Sequence, residues 1–240
     1  KMFSNYRISI LVLFAFLVVG CASLKTKSSQ SKEIQVIMNT SKGSLTIKLY
    51  NETPLHRDNF IKLVNEKFYD GIAFHRVIKD FMAQAGDPKS RDKSFTGQLG
   101  QSSEGETIPA EIVPDLFHKK GALAAARMGD NVNPEKKSSG SQFYIVQGRK
   151  YALNQLSQME AKINQKAPHF QHQENKFTFS DSAKKVYQQI GGTPFLDNGY
   201  TVFGEVTKGI EVIDAICNVK TEKGNKPSEP VIILSVTLMK

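Results

Sequence analysis

Ile34, Val36 and Met38 alternate with polar residues, Thr40-Ser41-Lys42-Gly43 interrupts, and Leu45, Ile47 and Leu49 resume the same period of two. Successive strand side chains point to opposite faces, so this stretch predicts a hairpin with one face buried. The period then lengthens. Behind Thr53-Pro54, an N-cap and first-turn pair, Phe60, Leu63 and Val64 recur at helical spacing, predicting a helix up to Phe68 that ends near Asp70-Gly71. The strand pattern returns beyond Gly71, with Ala73, His75 and Val77 on one face and Phe74, Arg76 and Ile78 on the other. Residues 88–108 have no period and carry many Ser, which reads as a long surface loop.

Gly121-Ala122-Leu123-Ala124-Ala125-Ala126 is a strand of small residues that lets another backbone come close. In Gln142-Phe143-Tyr144-Ile145, alternation puts Gln142 and Tyr144 on one face and Phe143 and Ile145 on the other. Ile210, Ile213 and Ile216 mark a further helix, and Val231, Ile233, Ser235 and Thr237 an alternating last strand. Bulky Phe143, Ile145 and Val202 suggest a filled interior, which argues against a barrel that encloses a small apolar ligand. Between the strand blocks, Leu153, Leu156, Met159 and Ile163 repeat at helical intervals, a polar stretch follows, and Val186, Tyr187 and Ile190 take up the period again. A helical insertion at about 149–192 accounts for this. His169 and His172 have no third ligand nearby, so they read as solvated side chains rather than a metal site.

The first residues follow a different rule. The apolar run from Ile10 to Val19 is too short for a permanent bilayer span and suits the apolar region of a signal peptide, residues 1–20. It ends at Val18-Val19-Gly20-Cys21, which resembles the lipobox of bacterial lipoproteins. That resemblance implies lipidation at Cys21 and a polar tether over 21–33 ahead of a domain at 34–240. Composition adds little to this layout: 40% apolar residues support a packed core, and the net charge of +9 falls to +7 without Lys1 and Arg7. The Lys residues are scattered and no basic run is interleaved with aromatics, so nucleic acid is not an expected partner. With Cys21 acylated, Cys217 is the one remaining thiol, and its helical neighbours Ile213 and Ile216 mark it as a core residue.

Phe74-His75-Arg76-Val77-Ile78 followed by Phe81-Met82-Ala83-Gln84-Ala85-Gly86-Asp87 carries the chemistry. A planar cation beside aromatic, thioether and amide side chains describes a groove that holds a polar backbone over an apolar floor. These residues, with Ser139-Gly140-Ser141-Gln142-Phe143-Tyr144 and Phe195-Leu196-Asp197-Asn198-Gly199-Tyr200 in the same order, resemble the cyclophilins, the peptidyl-prolyl cis-trans isomerases. The resemblance covers residues 34–147 and 193–240. It implies a mainly β fold, a closed eight-stranded barrel capped by two helices, with the helical insertion added. It also implies an isomerase of X-Pro bonds that needs no cofactor or metal, a monomer acting on proline-containing peptides and unfolded exported proteins at the bacterial cell envelope, tethered by lipid and facing the periplasm.

Arg76 and Gln84 are the catalytic residues the resemblance implies. Phe81, Met82, Tyr144, Phe195, Leu196 and Tyr200 would enclose the proline ring, Gln142 and the main chain of Ala126 and Arg127 would hold the flanking peptide with the Arg127 charge at the rim, and His75 lies nearby. Three positions depart from common family usage. Arg127 replaces an Asn and Tyr144 a Phe, which brings a hydroxyl to the pocket that needs a partner. Phe195 replaces the Trp of eukaryotic members that supports cyclosporin binding, so weak affinity for that ligand is expected. A binding module that holds proline peptides without turnover is the competing reading.

Overall fold

The structure, a computed structural model, describes residues 33–166 and 176–239. The expected signal peptide, the lipidated Cys21, the tether up to residue 32 and the His169–His172 pair lie outside these residues. Eight strands form one sheet: β1 (Ile34–Thr40), β2 (Gly43–Leu49), β3 (Arg76–Ile78), β4 (Met82–Ala85), β5 (Ala122–Ala125), β6 (Phe143–Val146), β7 (Val202–Lys208) and β8 (Ile233–Leu238). Their order across the sheet is β3-β4-β6-β5-β7-β2-β1-β8. Four helices accompany them among the described residues: α1 (Pro54–Asn65), α2 (Leu153–Lys166), α3 (Asp181–Gln189) and α4 (Ile210–Cys217).

The sheet curls without closing. No ladder joins β3 to β8; the seam is a single bridge between Ala73 and Ile232, flanked by main-chain bonds from Gly71 to Ile233 and from Phe74 to Val231. The expected closed barrel is thus an open half-barrel. β3 has only three residues, all paired with β4, and the chain ahead of it leaves a turn at Gly71 (φ +80°), so no strand length remains to zip against β8. Because Phe74 and His75 precede the regular strand, the expected alternation starts only at Arg76. Phe74 and Val77 both enter the core, whereas alternation would have separated them.

The concave side is filled by Val36, Met38, Leu45, Ile47, Leu49, Phe143, Ile145 and Phe203, with α1 and α4 closing it through Phe60, Leu63, Ile213 and Ile216. Val202, expected inside, instead faces the outer cluster with Ala124 and Tyr144, and Phe203 takes the inner place. The last strand also departs from strict alternation. Asn39 pairs with Ser235 and Thr40 with Ile233, so Leu234 is an extra residue; beyond this bulge Val236 turns inward and Thr237 outward.

Long-range groups finish α1. Thr53 sits at the N-cap but its hydroxyl makes no capping bond; instead Glu111 accepts from the Leu55 and His56 amides, at 3.0 Å each. A carboxylate there both satisfies orphan N–H groups and faces the positive helix end. The C-terminus comes earlier than expected. Lys67 adopts φ +55°, and the Phe68 and Lys67 amides fold back on the Leu63 and Val64 carbonyls, which ends the helix at Asn65.

The inserted segment enters at Arg149 and leaves at Gly192, which exchange two main-chain bonds (3.2 and 3.0 Å). It has its own small core of Tyr151, Leu156, Phe179, Ala183 and Tyr187. Leu153 and Ile190, part of the expected apolar stripe, are exposed; Phe177 and Phe179, from the stretch that reads as polar, pack in their place.

Candidate active site

β3 and β4 lie antiparallel with Arg76 opposite Gln84. One Arg76 nitrogen donates to Gln84 Oε1 at 3.3 Å, and Gln84 Nε2 donates to Gln142 Oε1 at 3.0 Å. The Gln142 amide then spends its own N–H groups on the Gly100 and Ser102 carbonyls, at 3.1 and 2.7 Å. This chain of amides fixes the direction of the guanidinium. Arg76 is half-buried beside the Phe81 ring (5.8 Å), and burial pulls its pKa down somewhat, opposed by the nearby Tyr200; an arginine starts high enough to stay charged.

Beside the guanidinium opens a recess of about 100 Å³, lined by Arg76, Phe81, Met82, Gln84, Ala126, Arg127, Tyr144, Leu196 and Tyr200. Strand pairing explains the gathering: Gln84 faces Tyr144 across β4 and β6, and Tyr144 faces Ala124 across β6 and β5. The small side chains of β5 leave room for the rings above them. Tyr144 and Tyr200 meet edge to face at 6.0 Å, and Phe195 lies 5.5 Å from Phe81 at the rim, 45% exposed.

Three expected residues are placed differently. Gln142 is buried and touches the recess only through Gln84, because its donors face the 100–102 loop. The Ala126 amide donates to the Gln142 carbonyl and its own carbonyl accepts from the Ser139 amide, so its N–H is spent and a second lone pair on the carbonyl is what it can offer a peptide. His75 faces away from the recess, into a separate cavity of about 370 Å³ beneath the 90–99 loop. Its ring nitrogens have no hydrogen-bond partner among the described residues, and burial lowers its pKa to about 4.

Arg127 is not a free rim charge. Its side chain is 4% exposed, donates to the Gly199 carbonyl (2.7 Å), pairs with Asp130 (2.7 Å) and stacks 4.5 Å above the Tyr200 ring. Lys136 grips the neighbouring Asn198 carbonyl at 2.8 Å. Together the two cations pin the turn that carries Leu196 and Tyr200.

Sequence reasoning passed over the partner of Tyr144. Its hydroxyl lies 2.9 Å from His118 Nε2; His118 Nδ1 lies 2.6 Å from Asp197 Oδ1; and the Tyr187 hydroxyl donates to Asp197 Oδ2 at 2.6 Å. All four side chains are buried. The unpaired hydroxyl on Tyr144 was the available signal, since a buried phenol demands a partner. Asp87 was also missed. Fully buried, it accepts from the amides of Lys89 (2.9 Å) and Gly100 (2.6 Å) and so ties down the loop that Gln142 holds from the other side.

A filled, curled eight-stranded sheet bearing on its outer face a ring-walled recess with two fixed cations, Arg76 and Arg127, defines a class of mainly β proteins with a surface groove. Comparison with known proteins narrows the class. Residues 35–238 match the family described as cyclophilin type peptidyl-prolyl cis-trans isomerase/CLD. Proteins provisionally named peptidyl-prolyl cis-trans isomerases from Staphylococcus aureus (strain COL) and Staphylococcus epidermidis (strain ATCC 12228) are each 36% identical over 211 residues, covering 88% of this chain and 94% of theirs. A crystal structure of a Cryptosporidium parvum cyclophilin type isomerase superposes with a TM-score of 0.62 at 22% identity, over 87% of this chain and 98% of that one. The same parasite enzyme, crystallised in the presence of the dipeptide Ala-Pro, gives a TM-score of 0.61 at 22% identity over 86% and 99%. The chain belongs to the cyclophilin-type peptidyl-prolyl cis-trans isomerases, and it is an enzyme of that type.

Proposed function

We propose that the recess beside Arg76 is the catalytic groove and that it takes the proline ring of an extended peptide, as the Ala-Pro dipeptide named with the parasite structure suggests. The observation that carries this is the guanidinium held by Gln84 at the edge of a ring-lined recess. Rotation about an X-Pro bond faces a barrier near ~18–20 kcal/mol because amide resonance must be broken. Turnover at ~10³ per second requires lowering it by about 7 kcal/mol. In the twisted transition state the prolyl nitrogen regains a lone pair, and Arg76 donates to it.

One charge-assisted hydrogen bond contributes roughly 1.5–3 kcal/mol, so the walls must supply the rest. Met82, Tyr144, Leu196 and Tyr200 hold the ring while the preceding carbonyl turns, and a dry site strengthens the Arg76 bond. Gln84, itself held by Gln142, aims the guanidinium.

The substrates in the cell are exported proteins that fold at the envelope. The lipobox-like Val18-Val19-Gly20-Cys21 supports a signal peptide over 1–20, an acylated Cys21, a tether to residue 33 and a monomeric domain at 34–240 that faces the periplasm. In this reading the anchor is a multiply acylated Cys21, since one acyl chain alone holds only marginally; among the described residues no helix is long and apolar enough to cross a membrane.

The test is cis-trans exchange of a short Ala-Pro-Phe peptide, read by NMR, with the protein and its Arg76→Ala variant. Exchange should fall about 10- to 100-fold, the factor equivalent to one charge-assisted bond. Equal exchange in both proteins would refute the role of Arg76, and binding without acceleration in either would make this a peptide-holding module.

A further inference from the structure

The four-residue chain from Tyr144 to Tyr187 joins the recess to the inserted helices, and its bonds to Asp197 have a fixed direction. A carboxylate only accepts, so Asp197 takes the Tyr187 proton on one oxygen and the His118 Nδ1 proton on the other, where the His118 main-chain N–H also donates at 2.9 Å. With a neutral imidazole Nε2 is bare and the Tyr144 hydroxyl donates to it; with an imidazolium Nε2 donates to the Tyr144 oxygen instead. In either case the Tyr144 hydroxyl is paired before any peptide arrives, and the recess meets a ring whose polar end already has a partner.

Asp197 directly follows Leu196, and the main-chain carbonyl of His118 accepts the Thr193 amide at 2.8 Å, so the two residues whose side chains pair also stand at the two ends of the Pro194–Leu196 turn. Tyr187 is fully buried, its ring set between Phe117 (5.4 Å) and Phe179 (5.7 Å) of the insertion core. We propose that Tyr187 and His118 are positioning residues of the isomerase: through Asp197 they fix the Tyr144 ring and the Leu196 turn, so the inserted helices set how tightly the groove grips proline. This rests on the reading of the recess as the proline pocket. Loss of the grip weakens substrate and transition state alike, which raises KM and spares kcat.

The experiment measures kcat and KM by NMR exchange over a peptide concentration series, with melting temperature beside it, in full-length protein. Tyr187→Phe keeps the packed ring and removes one donor; KM is expected to rise three- to tenfold with kcat within twofold. Tyr144→Phe is expected to act in the same direction, and the double variant to fall short of the product of the singles by at least twofold, because both act on one chain of contacts. Asp197→Asn, which keeps an acceptor, should retain more affinity than Asp197→Ala; if the alanine variant does not fold, the two phenylalanine variants carry the test. An unchanged KM in Tyr187→Phe, a fully multiplicative double variant, or a fall in kcat and melting temperature at constant KM would each overturn the proposal. Arg76→Ala separates the two readings. Activity that survives it refutes the proline-pocket reading itself, whereas activity lost there with KM unmoved in Tyr187→Phe refutes only the role of the insertion.

Discussion

Among the described residues most buried polar side chains pair with main chain or with each other; the Thr53 and Thr193 hydroxyls do not, and neither does His75, the titratable member of this group. It is 5% exposed, its ring has no hydrogen-bond partner among the described residues, and desolvation outweighs the attraction of Asp87 to leave its pKa at about 4 against an ordinary 6.5. The folded chain thus refuses a proton that the unfolded chain accepts as pH falls from 6.5. Stability is full above 6.5 and declines toward 4, by up to about 3 kcal/mol from this residue. His56, also pushed down by burial against the pull of Glu111, adds in the same direction. Urea unfolding at pH 7 and pH 4.5 should show this loss, and His75→Asn should shrink it; an unchanged difference would mean that other groups carry the acid sensitivity. At this scale the groove was legible where one motif holds several members, as in Phe81, Met82 and Gln84 beside Arg76. Side chains that act across long sequence gaps were not legible. Glu111 caps a helix 56 residues away, and Asp197 meets a histidine 79 residues back, with no local pattern to announce either.

The elements divide into those whose period sufficed and those that a local irregularity changed. The β1–β2 hairpin and the core side of α1 follow from alternation and helical spacing alone, because each buries a single face. β8 did not, since one extra residue at Leu234 reverses the faces beyond it, and a bulge leaves no mark in the apolar pattern. The seam between β3 and β8 failed for a related reason: closure depends on strand length at the edge, which three residues cannot supply. The inserted helices show the same limit, because Phe177 and Phe179 in an irregular stretch took the place of Leu153 and Ile190. This small core is a cluster distinct from those on the two faces of the sheet, and that makes a prediction. Leu156→Ala removes a fully buried side chain and should cost about 2–5 kcal/mol locally. Hydrogen exchange should show α2 and α3 amides losing protection while β1, β2 and β7 keep theirs; uniform loss would mean one cooperative unit.

For the whole molecule, filled interior and outer recess are two sides of the same eight strands. Phe143 and Ile145 pack the concave side while Tyr144 between them walls the groove, so groove geometry inherits the rigidity of the core. Cys217 is buried, its thiol pushed up to about 12 by desolvation, and it serves as packing rather than chemistry. If the chain is tethered through Cys21, Cys21→Ser in the producing bacterium should move the protein from the membrane to the soluble fraction and leave the exchange rate of the purified enzyme unchanged. Continued membrane association would remove the acyl anchor from the reading.

The Arg149–Gly192 junction gives the molecule a socket. Two chain ends already bonded to one another accept a segment of some forty residues at little entropic cost, about 2 kcal/mol more than a five-residue loop. On the proposed role of Tyr187, a cassette exchanged there that presents a phenol to Asp197 and packs against Phe117 would retune the grip on proline while every residue lining the recess stays the same.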